Sequence, residues 1–415
     1  MKSLGRGALA LLMFTPRLAN AVTWGEARAL VVRDAPELLA AERRRQIAAA
    51  EIDVAGTVAN PTFAVTTARE TARLSTSVSL PLPLFGQRGA AVRTANANAQ
   101  IVAAEGQIAS RDLVWSATTA WVDAWEASER SRLIVGSAAD AKRLLDIAAE
   151  RFQSGSAPRL DVVRATADEA RARADSEGAQ RLVAAAGARL AVWLAKDPTA
   201  APEVTGTPGV PAALPPLIAL EASVEGHPAA ARDRAQQISA DAQLTLERRL
   251  RFPIVSAQLT VNQGDPTLPR DGNGNPATDI IGGASFDLPL LNQRGGFIKR
   301  AKAQRTLADA QLAIDIAHLR AEIADAYHRT EAAAARSREL AEHALPAMED
   351  ARTMTEESYR AGRVDLVRVL EAQRAVVETR LAEVDAIADW ARSFADLERA
   401  GGQGMTDIEV TNARH

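Results

Sequence analysis

Leu82-Pro83-Leu84-Phe85-Gly86-Gln87-Arg88-Gly89 and Leu288-Pro289-Leu290-Leu291-Asn292-Gln293-Arg294-Gly295 are one corner written twice, 206 residues apart. In both, a run of alternating apolar and polar residues stops at a Leu-Pro-Leu step and a long proline-free stretch begins. Proline cannot donate to a strand ladder and holds the residue before it in extended backbone, so the step marks the end of a strand and a fresh helix start. The chain is therefore expected to make the same strand-to-helix turn twice, with Pro83 and Gly86 in the first corner and Pro289 and Asn292 in the second.

Other punctuation falls into register with the corners. Ala35-Pro36 matches His227-Pro228 and Pro61 matches Pro253, both at a shift of 192 residues, while Phe152-x-x-Gly155 matches Tyr359-x-x-Gly362 at 207. The step from 192 to 206 places an insertion of 14 residues between Pro253 and Pro289. A period of about half the chain lies far above the roughly 20 to 50 residues of solenoid repeats, so the pattern is a duplicated domain. The first repeat covers residues 22–196 and the second 217–400, and between them 197–216 carries six prolines, a composition that ends a helix and reads as a linker.

Each repeat is expected to run helix, strand hairpin, corner, very long helix, glycine turn and returning helix. Val255, Ala257, Leu259 and Val261 alternate with Ser256, Gln258, Thr260 and Asn262, and beyond the Gly-, Pro- and Asn-rich loop 264–279 a second alternating run leads to Leu288. Phe63 and Val65, then Leu74, Thr76, Val78 and Leu80, keep the same period of two around a shorter turn near 68–73. Hairpins are thus placed at about 62–82 and 254–288. Strands of this length, with one apolar and one polar face, match those of outer-membrane barrels; a soluble hairpin packed on a helical core shares the local pattern.

No proline occurs from Arg88 to Phe152, a run that as one helix spans roughly 95 Å at about 1.5 Å per residue. Its counterpart starts at Gly296 and reaches His343 before Pro346, which is expected to interrupt it. Helical hairpins are placed over about 88–196 and 296–400. Apolar residues recur at steps of four and three at Leu312, Ile316, Leu319 and Ile323, and again at Leu366, Leu370, Val377, Leu381 and Val384, which is coiled-coil spacing. Helices this long cannot bury their seams within one small protomer, so partner helices are implied.

Composition narrows the function. A net charge of -3 gives no basic footprint for nucleic acid. Aromatics are 4%, and an apolar fraction built on Ala, Leu and Val suits close-packed helices. Without cysteine there are no disulfides, thiolate metal sites or cysteine nucleophiles. Lys2 and Arg6, the apolar run Ala8 to Phe14 and Ala19-Asn20-Ala21 read as a signal peptide over 1–21, with Arg17 an irregularity and an amphipathic start the alternative. No run approaches the roughly 18 apolar residues of a membrane-spanning helix. A phosphate-binding Gly-Lys-Ser/Thr loop is absent, His318 and His328 fall some 80 degrees apart on a helix at about 100 degrees per residue, and the adjacent Glu356 and Glu357 face different ways. No catalytic, cofactor-binding or metal-ligating set is expected, hence no enzyme and no cofactor.

Leu288 to Gly295, Tyr359-Arg360-Ala361-Gly362 and Val369-Leu370-Glu371-Ala372-Gln373, together with their first-repeat copies, resemble the TolC-type outer-membrane factor family from Val22 to about Ala400. The resemblance implies a mainly α fold with a small β part. Duplicated long coiled-coil α-hairpins would form an α-barrel tunnel, and four β-strands per protomer would contribute to a 12-stranded transmembrane β-barrel in a homotrimer. Closure by three copies agrees with the physics, since four strands alone leave two bare edges in lipid. It also implies an outer-membrane location with the helical tunnel in the periplasm. Gly155 and Gly362 would mark the periplasmic tip, docking a membrane-fusion adaptor protein linked to an inner-membrane pump of the resistance-nodulation-division type; each glycine also serves as a helix cap. The lipidated cysteine of several branches has no counterpart here.

At the sixth and ninth positions after these glycines stand Asp161 and Arg164 in the first repeat and Arg368 and Glu371 in the second, with mirrored signs. Family members often carry acidic rings at the second pair, from which Arg368 departs. Asp161 and Arg368 are expected to meet as a tip gate, the alternative being a solvated helix face on which such a pair is worth at most about 1 kcal/mol. Leu-Pro-Leu followed by Asn-Gln-Arg-Gly looks most like the cobalt-zinc-cadmium branch, implying divalent heavy-metal cations as cargo. Multidrug efflux or type I secretion is the near alternative, and a secreted coiled-coil scaffold without a pore the one from another class.

Overall fold

The computed structural model describes residues 21–69, 71–208, 214–270, 272, 274 and 278–401. Apart from Ala21 and Gly401, the expected signal peptide and the 401–415 tail lie outside the described residues, as do 209–213 of the linker. The helices are α1 (Trp24–Asp34), α2 (Pro36–Gly56), α3 (Gln87–Gln153), α4 (Arg159–Trp193), α5 (Leu217–Ala222), α6 (Pro228–Arg249), α7 (Gly295–Glu339), α8 (Leu345–Arg360) and α9 (Leu366–Gly401); the strands are β1 (Thr62–Thr66), β2 (Leu74–Leu82), β3 (Val255–Gln263) and β4 (Asp279–Phe286). The order α2-β1-β2-α3-α4 recurs as α6-β3-β4-α7-α8-α9. Pro36 and Pro228 open α2 and α6, the position where a missing N–H costs no helix bond.

One expectation is corrected. Pro346 does not break the second long helix, because a single π-helical turn, Leu340–Ala344, carries α7 into α8 with helical backbone on both sides. The wider turn shifts the bond pattern by one residue, so the absent proline donor and its ring are accommodated without a stop.

The chain divides into two compact units. The first comprises residues 1–35, 113–214 and 328–396. It contains both glycine turns and all six tryptophans. Trp121 is fully buried, meets Trp24 edge-on at 5.5 Å and donates its indole N–H to the Val22 carbonyl at 2.8 Å; truncation of such a side chain costs about 3 to 5 kcal/mol. Val22 in turn pairs in parallel with Val204, its N–H donating to Glu203 O and its carbonyl accepting from Thr205 N. The start of the Pro-rich segment is therefore tied down rather than slack. Elsewhere the core is an alanine seam, with Ala117, Ala124, Ala186, Ala388, Ala391 and Ala395 buried. Small side chains let the helices approach closely, as the composition anticipates.

The second unit comprises residues 36–112, 215–327 and 397–415 and holds the sheet. Its strands form one antiparallel meander in the order β1-β2-β3-β4. Near the start of α6, His227 Nδ1 accepts the Ala229 N–H at 3.1 Å while Nε2 lies 3.3 Å from the Arg399 carbonyl. Ser223 donates to the carbonyl of Gly401 at 2.6 Å. Side chains of the second repeat thus satisfy carbonyls at the end of α9, which a helix terminus leaves open.

Candidate functional site

The sheet register sorts side chains into two faces. Val78 stands opposite Phe63 and Leu259, and Val261 opposite Thr76 and Ile280, so the apolar positions of all four strands share one side. The other side aligns Thr62 with Ser79 and Gln258, and Ser75 with Thr66 and Asn262. Cross-strand bonds run along it, from Ser75 Oγ to Asn262 Oδ1 at 2.8 Å and from Gln258 Nε2 to Ser285 Oγ at 3.0 Å. Ile281, opposite Thr260, is the large apolar exception, with Ala64 and Pro81 the smaller ones. The apolar side is exposed: Phe63 is 66% and Ile280 67% accessible, so this sheet does not cover a core of its own. Among the described residues β1 and β4 each pair on one side only. A one-sided apolar sheet with open edges is incomplete by itself and calls for further strands at its edges and a cover for its apolar face.

The two corners use different left-handed residues. In the first, Gly86 has φ 80 and α3 starts at Gln87, whose buried side chain accepts the Phe85 N–H at 3.0 Å and donates to Phe252 O at 3.3 Å. Phe85 stacks on Phe252 at 5.5 Å. In the second, Asn292 Oδ1 accepts the Arg294 N–H at 3.0 Å, and Arg294 rather than Asn292 takes positive φ, 56. The guanidinium of Arg294 bonds the buried Glu247 at 2.6 Å and lies 4.5 Å over the Phe297 ring, holding the side chain in place. Helix α7 consequently starts at Gly295, two positions later than the aligned Gln87. Pro83 and Pro289 both precede these turns, as the sequence places them.

The glycine turns at the end of α3 and of α8 are the same motif twice. Gly155 has φ 74, with Ser156 N donating to Arg151 O at 2.8 Å and Gly155 N to Phe152 O at 3.0 Å. Gly362 has φ 71, with Arg363 N donating to Ser358 O and Gly362 N to Tyr359 O, both at 2.9 Å. Both are Schellman caps, in which the left-handed residue lets two trailing N–H groups satisfy the last helix carbonyls. Arg151 ties the two turns together: it donates to Tyr359 O at 3.1 Å and Ser156 O at 3.4 Å, and its guanidinium sits 4.4 Å over the Tyr359 ring. Beneath lies a small core of Leu144, Ala148, Ala165, Tyr359, Leu366 and Val369. The pseudo-symmetry fails here, since Tyr359 is buried while the matching Phe152 is exposed. The Tyr359 hydroxyl is buried without a hydrogen-bond partner.

The expected gate residues do not all come together. Arg368 bonds Glu371 one helical turn on, at 3.4 Å, and its backbone N–H meets Asp365 Oδ1 at 3.3 Å. Arg164 is exposed on α4 and Asp161 is half-buried near its start. No ion pair within the protomer joins Asp161 to Arg368 among the described residues; Arg368 pairs with Glu371 on its own helix instead. Ion pairs that do cross between helices were not readable from the sequence: Arg374 with Asp168, Arg130 with Asp385, and Arg392 with Asp123 at 2.8 Å and with Glu126. Burial lowers the Arg392 guanidinium, but its bonds to Asp123 and Glu126 outweigh that and hold its pKa above the ordinary value. All of these residues except Asp385 line a groove of about 970 Å³ along α3, α4 and α9. Among the described residues no cluster of three or more His, Asp or Glu is placed to hold a metal, and no helix is long and apolar enough to cross a membrane.

Comparison with known proteins bears on what this geometry serves. A family model described as outer membrane efflux protein matches residues 29–196 and 220–403. Over 337 residues the chain is 24% identical to the cobalt-zinc-cadmium resistance protein CzcC of Cupriavidus metallidurans, covering 81% of this chain and 78% of that protein. Among solved structures it is similar to the outer membrane protein VceC of Vibrio cholerae (TM-score 0.74, 19% identity, covering 92% of this chain and 96% of that one). It is also similar to a membrane protein of Pseudomonas aeruginosa (0.77, 19%, 91% and 93%) and to CusC (0.75, 15%, 92% and 92%). At these identities the structural likenesses establish a shared fold.

Proposed function

The chain belongs to the outer membrane efflux protein family, and from that premise we propose that three copies assemble into a passive duct, the outer-membrane component of a tripartite efflux system. Four strands per copy close a 12-stranded barrel with the apolar faces toward lipid and the Ser- and Thr-rich faces toward the lumen. The helical part lies in the periplasm, where the turns at Gly155 and Gly362 dock a membrane-fusion adaptor coupled to an inner-membrane pump of the resistance-nodulation-division type. The observation that carries this reading is the sheet: one exposed apolar face, one hydroxyl-lined face and two unpaired edges. Edges left in hydrocarbon cost several kcal/mol per unsatisfied group, whereas three sheets joined edge to edge leave none.

The likeness to CzcC supports divalent heavy-metal cations as the cargo. The duct itself needs no metal site, since a water-filled passage selects little and the pump supplies both energy and choice. Membrane fractionation with cross-linking tests the assembly: the chain should partition with the outer membrane as a trimer and conduct ions in a planar bilayer. Recovery as a water-soluble single chain would refute it and favour a pore-free scaffold. Deletion should sensitise the host to zinc, cobalt or cadmium; sensitivity to organic drugs alone would move the cargo to multidrug efflux.

A further inference from the structure

We propose that the strand-to-helix corners form a cationic collar that docks on the headgroups of an anionic phospholipid monolayer, continuing the apolar sheet face into the membrane interface. The inference rests on the outer-membrane reading above. Beyond the last sheet pair, Phe286 with Val255, the apolar surface does not end. Leu290 is 74% accessible and Leu291 fully so, and Leu84, Leu288, Phe252 and Phe297, in the segments that leave the same end of the sheet, are exposed as well. Four of the eight phenylalanines fall in these corner segments, at 85, 252, 286 and 297. Leucines standing free in water are costly unless something covers them.

Charge indicates what does. Over residues 83–93, 247–254 and 286–302 the sequence has nine basic and two acidic side chains. One of those acids, Glu247, is buried and already neutralised by Arg294. The opposite ends of the hairpins, 67–73 and 264–278, carry three basic and three acidic residues and a single leucine. The positive, apolar collar is thus a property of one end of the sheet only. Arg248, Arg251, Lys299 and Lys302 are exposed and make no ion pair among the described residues. Long cationic side chains interleaved with Leu and Phe fit an interface where the stems lie along acyl chains and the heads reach phosphate. A protein partner of ordinary composition would meet the leucines but leave the excess charge unanswered.

The test is flotation of the purified full chain with vesicles of phosphatidylcholine alone and of phosphatidylcholine with phosphatidylglycerol, at low and high salt. The wild type should float with both and prefer the anionic vesicles at low salt, the preference fading as salt screens it. R248Q/R251Q/K299Q should lose on the order of fivefold of that preference per charge removed, roughly 100-fold for three, with binding to neutral vesicles unchanged. L290S/L291S should weaken binding to both vesicle types equally. Equal binding of the wild type to the two vesicles, or a triple variant that keeps the preference, overturns the collar while leaving the outer-membrane reading in place. Flotation with neither vesicle overturns both.

Discussion

Replacing Gly362 with alanine isolates the cost of one backbone angle. The residue sits at φ 71, and a Cβ added there would meet nothing within 4 Å, so no steric contact confuses the result. An L-residue in the left-handed region costs about 1 to 2 kcal/mol. Alanine also narrows the unfolded ensemble, which returns about 0.4 to 1 kcal/mol. G362A should therefore destabilise by up to about 1.6 kcal/mol, and G362N by less, because asparagine tolerates this cap position. Gly136 is the internal control: it lies inside α3, also with open space around its would-be Cβ, but with helical backbone. G136A should stabilise by up to about 1 kcal/mol through helix propensity. Guanidinium unfolding followed by tryptophan fluorescence reads both, since every tryptophan belongs to the unit that contains the turns. If G362A and G136A shift the midpoint in the same direction, the left-handed cap is not what holds the turn.

Leu259→Arg, on the apolar face of β3, should cost about 2 to 4 kcal/mol in the bilayer and deplete the chain from the outer-membrane fraction, whereas Thr260→Arg on the opposite face should not. Tyr359→Phe removes a buried hydroxyl that has no partner; it should be neutral or stabilise by up to about 1 kcal/mol in the same unfolding assay, while Tyr359→Ala should cost about 3 kcal/mol or more. Burial holds His227 below its ordinary pKa despite the Arg399 carbonyl and the carboxylates of Glu322 and Asp112, with Arg111 adding to the depression. The unfolded chain then takes up the proton first, so this contribution is complete above about pH 6.5 and is lost as pH falls toward the lower folded value. The unfolding midpoint should drop between pH 7 and 5 more steeply in wild type than in His227→Asn, which keeps a capping acceptor; parallel curves would dismiss the histidine as the cause.

The strands, corners and glycine turns were readable because each is written in neighbouring residues. Period-two alternation fixes which side chains share a sheet face, and the faces of β2 and β3 follow from Ser75 to Leu82 and Val255 to Asn262 alone. The demand for a positive φ shows in Gly155 and Gly362 whatever surrounds them. Local reading failed where two equivalent residues met unequal surroundings. Phe152 and Tyr359 align, yet only Tyr359 enters the core, where it packs with Leu144, Ala148, Leu366 and Val369. The left-handed angle of Arg294 in the second corner is likewise not written locally: Glu247, distant in sequence, and Phe297, on the next turn, hold its side chain. Arg368 and Asp161 share an offset from their turns, which by itself brings no contact; within the protomer Arg368 pairs with Glu371 on its own helix. The partners of Arg374 and Arg392 lie more than 200 residues away along the chain. Sequence by itself determined what each segment is and which way its side chains alternate, because backbone preference is short-ranged. Only the tertiary structure decided who meets whom, because burial and charge act through space and carry no mark in the order of residues.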